Sequence, residues 1–274
     1  MSAQAALAAP VLEGPEFERI RVLVHEATGI HLGETKQSMV AGRLGKRLKH
    51  LGLRDYGAYL SVITDDAAER QTALDLLTTN ETYFFREPRH YDFVRETVLP
   101  AHPRSEPFRA WSAASSSGEE AYSLAMLLAD RLEGGDWRIL GSDISTQILE
   151  AARRAQYPMS RAERIPREYL KRFCLRGTGP HEGTFLVDRP LRARIEFRQV
   201  NLNASLPSLG PFDLILLRNV LIYFQMEKKR EVVRRVVERL KPGGWFMVGH
   251  SESLHGVAEG LETVAPSIYR KPRE

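Results

Sequence analysis

The chain has 274 residues, of which 43% are hydrophobic and 27% charged, and its formal net charge is +4. This composition is ordinary for a soluble globular protein, the longest apolar runs are too short to cross a bilayer, and the alanine-rich Met1–Pro10 segment does not have the pattern of a signal peptide. The single cysteine, Cys174, excludes an internal disulfide and a cysteine-based zinc site, so we expect a cytoplasmic protein that does not insert into membranes.

The first part of the chain has the spacing of helices. Phe17, Ile20 and Val24 recur at helical intervals, and Gly29 is placed to cap the end of that helix. No alternation typical of strands follows for some fifty residues. We therefore predict an all-α domain over residues 1–79, to which the basic helix described next gives a possible role in substrate docking.

A basic helix is predicted within this domain, because residues 36–54 contain six Lys or Arg and no acid. Arg43, Arg47 and Arg54 recur at helical spacing and share one face. Such a face can be a solvated surface or can dock on an acidic partner, and spacing alone leaves both open.

A linker and then a sheet domain are predicted after the helices. Pro88 begins a helix that is expected to reach Leu99, and residues 80–107 read as a linker. From Phe108 onward strands alternate with helices, which indicates a Rossmann-like α/β domain over residues 108–274 with a parallel sheet. The predicted strands are Phe108–Ser112, Arg138–Ser142, Ile195–Val200, Phe212–Leu217 and Trp245–Gly249, and the predicted helices are Glu119–Leu132, Ser145–Ala155 and Glu227–Leu240.

Two local patterns complete this outline. Lys241–Gly244 is expected to end a helix and turn into the last strand. Residues 158–194 break the alternation with a short helix, a turn rich in Gly and Pro, and the β-like Thr184–Val187. We interpret them as a small β-subdomain inserted in the sheet domain.

The loop after the first predicted strand carries the clearest functional signal. Small residues fill Ser112–Gly118, a helix follows, and Asp143 ends the second strand. Small residues let a ligand approach the backbone, and an acid after the second strand can accept hydrogen bonds from both ribose hydroxyls.

Two acids at the start of that helix indicate the class of ligand. Glu119 and Glu120 would repel phosphate, which argues against a dinucleotide or a nucleoside triphosphate, and neither glycine motif of those ligands occurs in the loop. The acids suit the ammonium and sulfonium of S-adenosylmethionine. The alternative is that they only complement the helix dipole.

Several long motifs, in order, carry a family resemblance. They are Leu77–Glu87, Trp111–Ser123, Gly141–Ile144, Phe212–Phe224, Leu240–Gly244 and Gly249–Glu252. Through them the chain resembles the chemotaxis receptor methyltransferases, which use S-adenosylmethionine to methylate glutamates on bacterial chemoreceptors. The resemblance implies a helical domain, a class I methyltransferase domain with a β-subdomain, and S-adenosylhomocysteine as product.

The resemblance also implies how one part of the cofactor is bound. Asn80, Thr82 and Arg86 would lie over its methionine end. Glu120 would accept a hydrogen bond from its amino group, and Asp143 would hold the ribose.

The other implied cofactor residues follow later strands. Asn201 would bind the adenine through its amide and Leu202 would pack on it, while Arg218 and Asn219 would close the pocket. Arg86 and Tyr223 match the family residues nearest the transferred methyl group, and they are the implied catalytic residues. From the residues alone, Arg86 could instead pair with a neighbouring acid and Tyr223 could be core.

The implied partner is the cytoplasmic helical bundle of a chemoreceptor, on which Arg43, Arg47 and Arg54 of the basic helix would dock. We expect no metal, because no pair of histidines has the spacing of metal ligands, and we expect no nucleic-acid partner and a monomer. Two alternatives remain, a methyltransferase of this fold that acts on RNA or another protein, and a non-catalytic adaptor that binds the cofactor. Few aromatics interleave the basic helix, which counts against RNA.

Overall fold

The computed structural model describes residues 10–273, so most of the Met1–Pro10 segment lies outside the described residues. Contacts divide the chain after Thr79 into two compact units. Within the described residues, no helix is both long and apolar enough to cross a membrane.

The first unit is all-helical, as predicted. Its helices are α1 (Gly14–Thr28), α2 (Gln37–Leu51), α3 (Tyr56–Asp65) and α4 (Ala67–Leu77), with one 3-10 turn at Glu34–Lys36. Gly29 ends α1 in the left-handed region at φ 75° and donates its N–H to the His25 oxygen, which confirms the predicted cap. Buried apolar residues of the four helices form one core.

The second unit contains a seven-stranded sheet. Its strands are β1 (Phe108–Ser112), β2 (Trp137–Asp143), β6 (Ile195–Gln199), β7 (Phe212–Leu217), β8 (Leu240–Val248), β9 (Glu262–Ala265) and β10 (Ile268–Arg270). The order is β6-β2-β1-β7-β8-β10-β9, in which the first five strands are parallel to one another and β10 runs antiparallel to its neighbours β8 and β9. The predicted Rossmann-like methyltransferase fold is confirmed.

Helices accompany this sheet and a small second sheet. The helices are α5 (Pro88–Phe93), α6 (Glu119–Arg131), α7 (Thr146–Arg154), α8 (Arg167–Phe173), α9 (Arg189–Arg192) and α10 (Met226–Val237). The small sheet is antiparallel, in the order β3-β5-β4, and its strands are β3 (Gln156–Pro158), β4 (Cys174–Arg176) and β5 (Thr184–Val187). It occupies the segment interpreted as a β-subdomain.

One local prediction was wrong, one helix changes type along its length, and one pair of strands was not predicted. Lys241–Gly244 does not form a turn but belongs to β8, because the Gly243 N–H is held by the oxygens of Lys271 and Pro272. The helix predicted from Pro88 to Leu99 passes into a π-helical turn at Val94–Val98. The β9–β10 hairpin was not predicted, since its strands are too short to show a period.

Candidate cofactor and active site

The site is built where the parallel strands end. The chain leaves β1, β2, β6, β7 and β8 at one edge of the sheet, and most of the sequence-predicted site residues of the second unit follow these ends, whereas Asn80, Thr82 and Arg86 precede β1. Ligands of open α/β sheets bind at this edge.

The loop after β1 is pinned by its own backbone. Ser115 donates its N–H to the Ser142 oxygen at 2.8 Å, and Ser116 donates to Asp143 Oδ2 at 3.0 Å. Gly118 takes φ 93°, where a Cβ would lie 3.0 Å from the Ala152 side chain, so the loop needs glycine there. The Ser115 hydroxyl is buried and has no hydrogen-bond partner in the part of the chain that the structure describes. The ordered loop therefore contains a buried hydroxyl that the described residues leave unsatisfied.

Asp143 is fixed at the end of β2. It is 9% exposed, and its Oδ1 accepts from the Ser145 N–H at 3.0 Å while Oδ2 accepts from Ser116. Its backbone oxygen accepts from the Val200 N–H at 3.0 Å, which ties it to the segment after β6. The carboxylate is therefore held rigidly at the place expected for ribose recognition.

The two acids that begin α6 have different surroundings. Glu119 is 1% exposed and accepts hydrogen bonds from Arg161 at 2.8 Å and from Ser117 at 2.5 Å. Burial raises its pKa, an effect that these two contacts partly offset. Glu119 therefore holds the loop and the β-subdomain segment, and the structure leaves Glu120 as the acid at the site.

Glu120 is joined to the segment after β7 by a buried arginine. Its Oε1 accepts from the Ser112 hydroxyl at 2.7 Å and its Oε2 from Arg218 Nη1 at 2.9 Å. Arg218 Nη2 also donates to Glu87 Oε2 at 3.0 Å, and only 1% of its side chain is exposed. Burial raises the pKa of Glu120, with a partial opposing effect from Arg218. Two acids thus share one cation, and a second cation at Glu120 would complete the charge balance.

Arg86 lies in the segment next to this group. Its Nη1 donates to the Glu81 backbone oxygen at 3.0 Å, and its guanidinium lies 5.5 Å from the centre of the Tyr83 ring. Within residues 10–273 it forms no ion pair with the Glu81 or Glu87 side chains, the alternative that sequence left open. The Arg86 backbone oxygen accepts from Arg218. A half-buried guanidinium without a carboxylate partner suits recognition of a carboxylate.

Asn80 and Thr82 reach the same region through their backbones. The Asn80 oxygen accepts from the Ser116 hydroxyl at 3.0 Å, and the Thr82 oxygen accepts from Arg161 at 2.6 Å. The structure therefore brings the segment before Arg86 onto the loop after β1. Their cofactor roles stay predictions.

Asn201 and Leu202 follow β6. Asn201 Oδ1 accepts from the Asn203 N–H at 2.9 Å, and Leu202 is 7% exposed. These contacts order the segment beside Asp143, and recognition of adenine there stays a prediction.

Sequence analysis missed the role of Glu252, which holds the segment after β7. Its Oε2 accepts from the backbone N–H groups of Asn219 and Gly249, both at 2.7 Å, and its Oε1 accepts from the Ile222 N–H at 3.3 Å. Tyr223 follows this anchored segment, is half-buried, and makes no side-chain hydrogen bond with the described residues. The one sequence signal for this anchoring role was the position of an acid three residues after Gly249, at the end of a predicted strand.

One group of side chains has the spacing of metal ligands. The ligand atoms of Glu87, His90 and His250 lie within 4.8 Å of one another. Burial lowers the pKa of His90 to about 3, so it is neutral, and His90 Nε2 lies 2.8 Å from the Ser267 hydroxyl. The Arg218 guanidinium beside Glu87 makes a divalent cation unfavourable there. The expectation of no metal stays a prediction.

The three arginines assigned to docking differ within the first unit. Arg43 donates to the oxygens of Leu76 and Thr78 at 3.1 and 2.9 Å. Arg47 forms a bidentate ion pair with Glu69, at 2.8 and 2.5 Å, whereas Arg54 is exposed. The three arginines therefore do not share one helical face as their spacing predicted, because α2 ends at Leu51 and Arg54 lies beyond it, while Arg43 and Arg47 make internal contacts.

The donor set fits S-adenosylmethionine. Acids lie where the resemblance expects its ammonium and ribose, and the loop is made of small residues and is fixed. Arg161 and Arg218, which contact the acids at the start of α6, are neutralised by Glu119, Glu120 and Glu87 instead of being set to bind phosphate. Glu120 and Asp143 would hold the cofactor, which supplies an activated methyl group on sulfur.

Comparison with known proteins agrees with this chemistry. The family described as "CheR methyltransferase, SAM binding domain" matches residues 80–269, and "CheR methyltransferase, all-alpha domain" matches residues 15–78. A chemotaxis protein methyltransferase of Escherichia coli is 42% identical over 263 residues, covering 94% of this chain and 91% of its own. That of Salmonella typhimurium is 41% identical, covering 94% and 90%, and methyltransferase 2 of Pseudomonas aeruginosa is 38% identical, covering 93% and 92%. The chain therefore belongs to the CheR family of S-adenosylmethionine-dependent chemotaxis methyltransferases.

Proposed function

We propose that this methyltransferase forms methyl esters on glutamate side chains of bacterial chemoreceptors, in the cytoplasm. The observation that carries the proposal is the half-buried Arg86 guanidinium, which has no carboxylate partner among the described residues and whose backbone is tied through Arg218 to Glu120. A cation reserved beside a methyl-donor site suits an acidic acceptor side chain better than a neutral one.

Methyl transfer to a carboxylate requires mainly that the acceptor oxygen, the methyl carbon and the sulfur are aligned. A glutamate with a pKa near ~4.3 is already ionised at neutral pH, so no general base is needed. Arg86 orients the acceptor carboxylate, and Tyr223 orients its second oxygen or lines the methyl path. Alignment of this kind can supply roughly 7–11 kcal/mol of the barrier. The acceptor carboxylate oxygen would bond to the methyl carbon as the bond from that carbon to sulfur breaks, with S-adenosylhomocysteine as the leaving group. Because this removes both charges, exclusion of water from the site also favours the reaction.

We propose that α2 docks on the acidic receptor bundle. Of the three assigned arginines, Arg54 has its charge in solvent but lies beyond Gly52, where α2 ends, and Lys46 and Lys49 are exposed on α2 itself. Arg43 and Arg47 stay part of the docking proposal, but their internal contacts give them a structural role as well. Only Arg54 is therefore expected to separate docking from stability.

The test of the reaction uses labelled S-adenosylmethionine with a chemoreceptor cytoplasmic fragment or, separately, with RNA. We expect base-labile label on the receptor glutamates and none on RNA. Label on RNA would support the alternative substrate, and tight cofactor binding without transfer would support the adaptor.

The test of docking compares Arg54→Ala with the matched variant Arg104→Ala, an exposed arginine in the other unit. Arg54→Ala should raise the KM for the receptor fragment and reduce its salt dependence, with unchanged cofactor affinity. Loss of cofactor affinity, or an equal effect of both variants, would refute docking through Arg54.

A further inference from the structure

Glu87 is a largely buried acid, 12% exposed, whose part in methyl transfer has not been considered beyond its pairing with Arg218. Its Oε2 accepts from Arg218 Nη2 at 3.0 Å, and its Oε1 accepts from Asn219 Nδ2 at 3.2 Å and from the His250 N–H at 3.1 Å. His90 Nδ1 lies 3.4 Å from the same carboxylate. One side chain therefore joins the segments that follow β7 and β8 to the segment that precedes α5.

The charge of Glu87 is built into this arrangement. Burial alone would raise its pKa, but Arg218 and the hydrogen bonds from His250 and Asn219 outweigh burial and lower the pKa to about 2. The carboxylate is therefore ionised at every pH at which the enzyme can be assayed. Because the Arg218 side chain is 1% exposed, it depends on its two acids, Glu87 and Glu120, for charge compensation.

The backbone around Arg86 is fixed on both sides. Phe85 and Glu87 take φ values of 53° and 58°, a left-handed region that is unfavourable for residues other than glycine and persists only where contacts enforce it. The Phe85 N–H donates to the Ser123 hydroxyl at 2.9 Å, and the Arg86 oxygen accepts from Arg218. The side chain of Glu87 supplies the contacts that hold the far end of this turn.

We propose that Glu87 is a positioning residue for methyl transfer, which sets the direction of the Arg86 side chain by holding the left-handed turn against Arg218 and Asn219. The inference rests on the proposed function, since Arg86 orients the acceptor carboxylate in that reaction. Glu87 acts through Arg218, which it shares with Glu120, so its neutralisation should reduce turnover more than cofactor affinity. A displacement of about 1 Å in such a residue can cost on the order of 100-fold in rate.

The experiment compares the wild-type chain with Glu87→Gln, Glu87→Asp and the control Glu133→Gln, an exposed acid just after the end of α6. Four quantities are measured: kcat and KM with the receptor fragment, the Kd of S-adenosylhomocysteine by calorimetry, and the thermal midpoint. For Glu87→Gln we expect kcat to fall at least tenfold, with KM and Kd within threefold of wild type. Glu87→Asp should recover part of kcat, because it keeps the charge, and Glu133→Gln should match wild type.

A second variant guards against misfolding of Glu87→Gln. Ser123→Ala removes the other anchor of the turn, at Phe85, and keeps the carboxylate, so we expect kcat to fall about threefold with unchanged Kd. A wild-type kcat in Glu87→Gln would overturn the proposal. If Glu87→Gln does not fold, a wild-type kcat in both Glu87→Asp and Ser123→Ala would overturn it. A loss of S-adenosylhomocysteine affinity as large as the loss of kcat would also overturn it. Failure of the wild type to label the receptor would instead refute the proposed function, and the role of Glu87 in it.

Discussion

Replacement of Arg47 by alanine should destabilise the helical unit, even though its place on a basic helix suggests a surface role. Arg47 donates to both oxygens of Glu69, whose side chain is 7% exposed, and the Tyr59 hydroxyl donates to the same acid at 2.9 Å. After Arg47→Ala, Glu69 would keep only Tyr59 among these partners and would be a buried charge without a cation.

The size of the effect follows from this burial. Breaking a fully buried ion pair from one side costs about 3–5 kcal/mol. Because 27% of the Arg47 side chain is exposed, water can partly replace it, and we expect a loss of about 2–3 kcal/mol in the free energy of unfolding. For a unit of this size each ~1 kcal/mol lowers the Tm by about 4–8 °C, so the shift should be easy to detect.

The assay is urea unfolding of the full chain, monitored by circular dichroism. Hydrogen exchange of α2 and α4 then shows where in the helical unit stability is lost. Arg54→Ala is the matched control, since Arg54 is exposed and should change stability by no more than about 0.5 kcal/mol. If Arg47→Ala were as stable as Arg54→Ala, the pair with Glu69 would contribute nothing, and a docking role alone would explain Arg47.

Three further predictions concern single groups. The hydrogen bond from Arg47, against the effect of burial, lowers the pKa of Glu69. The ionised Glu69 therefore contributes its full stabilisation above the unfolded pKa of about 4.3, and this is lost as the pH falls through the folded pKa. The stability difference between wild type and Glu69→Gln in urea should shrink below about pH 4, and a difference that grows there would contradict this. Asp143→Asn must present an amide N–H₂ to one of two backbone donors, so calorimetry should show S-adenosylmethionine affinity at least ~10-fold weaker, whereas Glu133→Gln should not change it. Burial raises the pKa of Cys174 to about 12, so at pH 8 a thiol reagent should label the folded protein at least about 100-fold more slowly than the urea-unfolded chain, and equal rates would show an accessible thiolate.

Local patterns in the sequence predicted the fold well. The β1 strand Phe108–Ser112 and the cap at Gly29 were both found where the pattern placed them, because alternation and capping depend on residues close in sequence. The β9–β10 hairpin and the true start of β8 were missed, since they depend on backbone partners in the neighbouring strands.

The candidate site was predicted less completely, for the same reason. Asp143 and Glu120 stand beside recognisable strand ends, but Glu87 gains its partners from segments 131 to 163 residues away. Helical spacing likewise placed Arg47 on a face without showing that Glu69, 22 residues later, would occupy it. A sequence pattern predicts which face of a helix or strand a side chain occupies. It does not predict which residue of another element will contact that side chain.

The position of the β9–β10 hairpin has a consequence for biosynthesis. Ser267, at the entrance to β10, contacts the buried His90, and Ile268 pairs with Met247 of β8. These contacts close the shell around Glu87 with residues that leave the ribosome after every strand of the parallel sheet. We therefore expect that a nascent chain which has already folded its helical unit and most of its sheet still lacks these contacts around Glu87, and gains them only when translation has passed the hairpin.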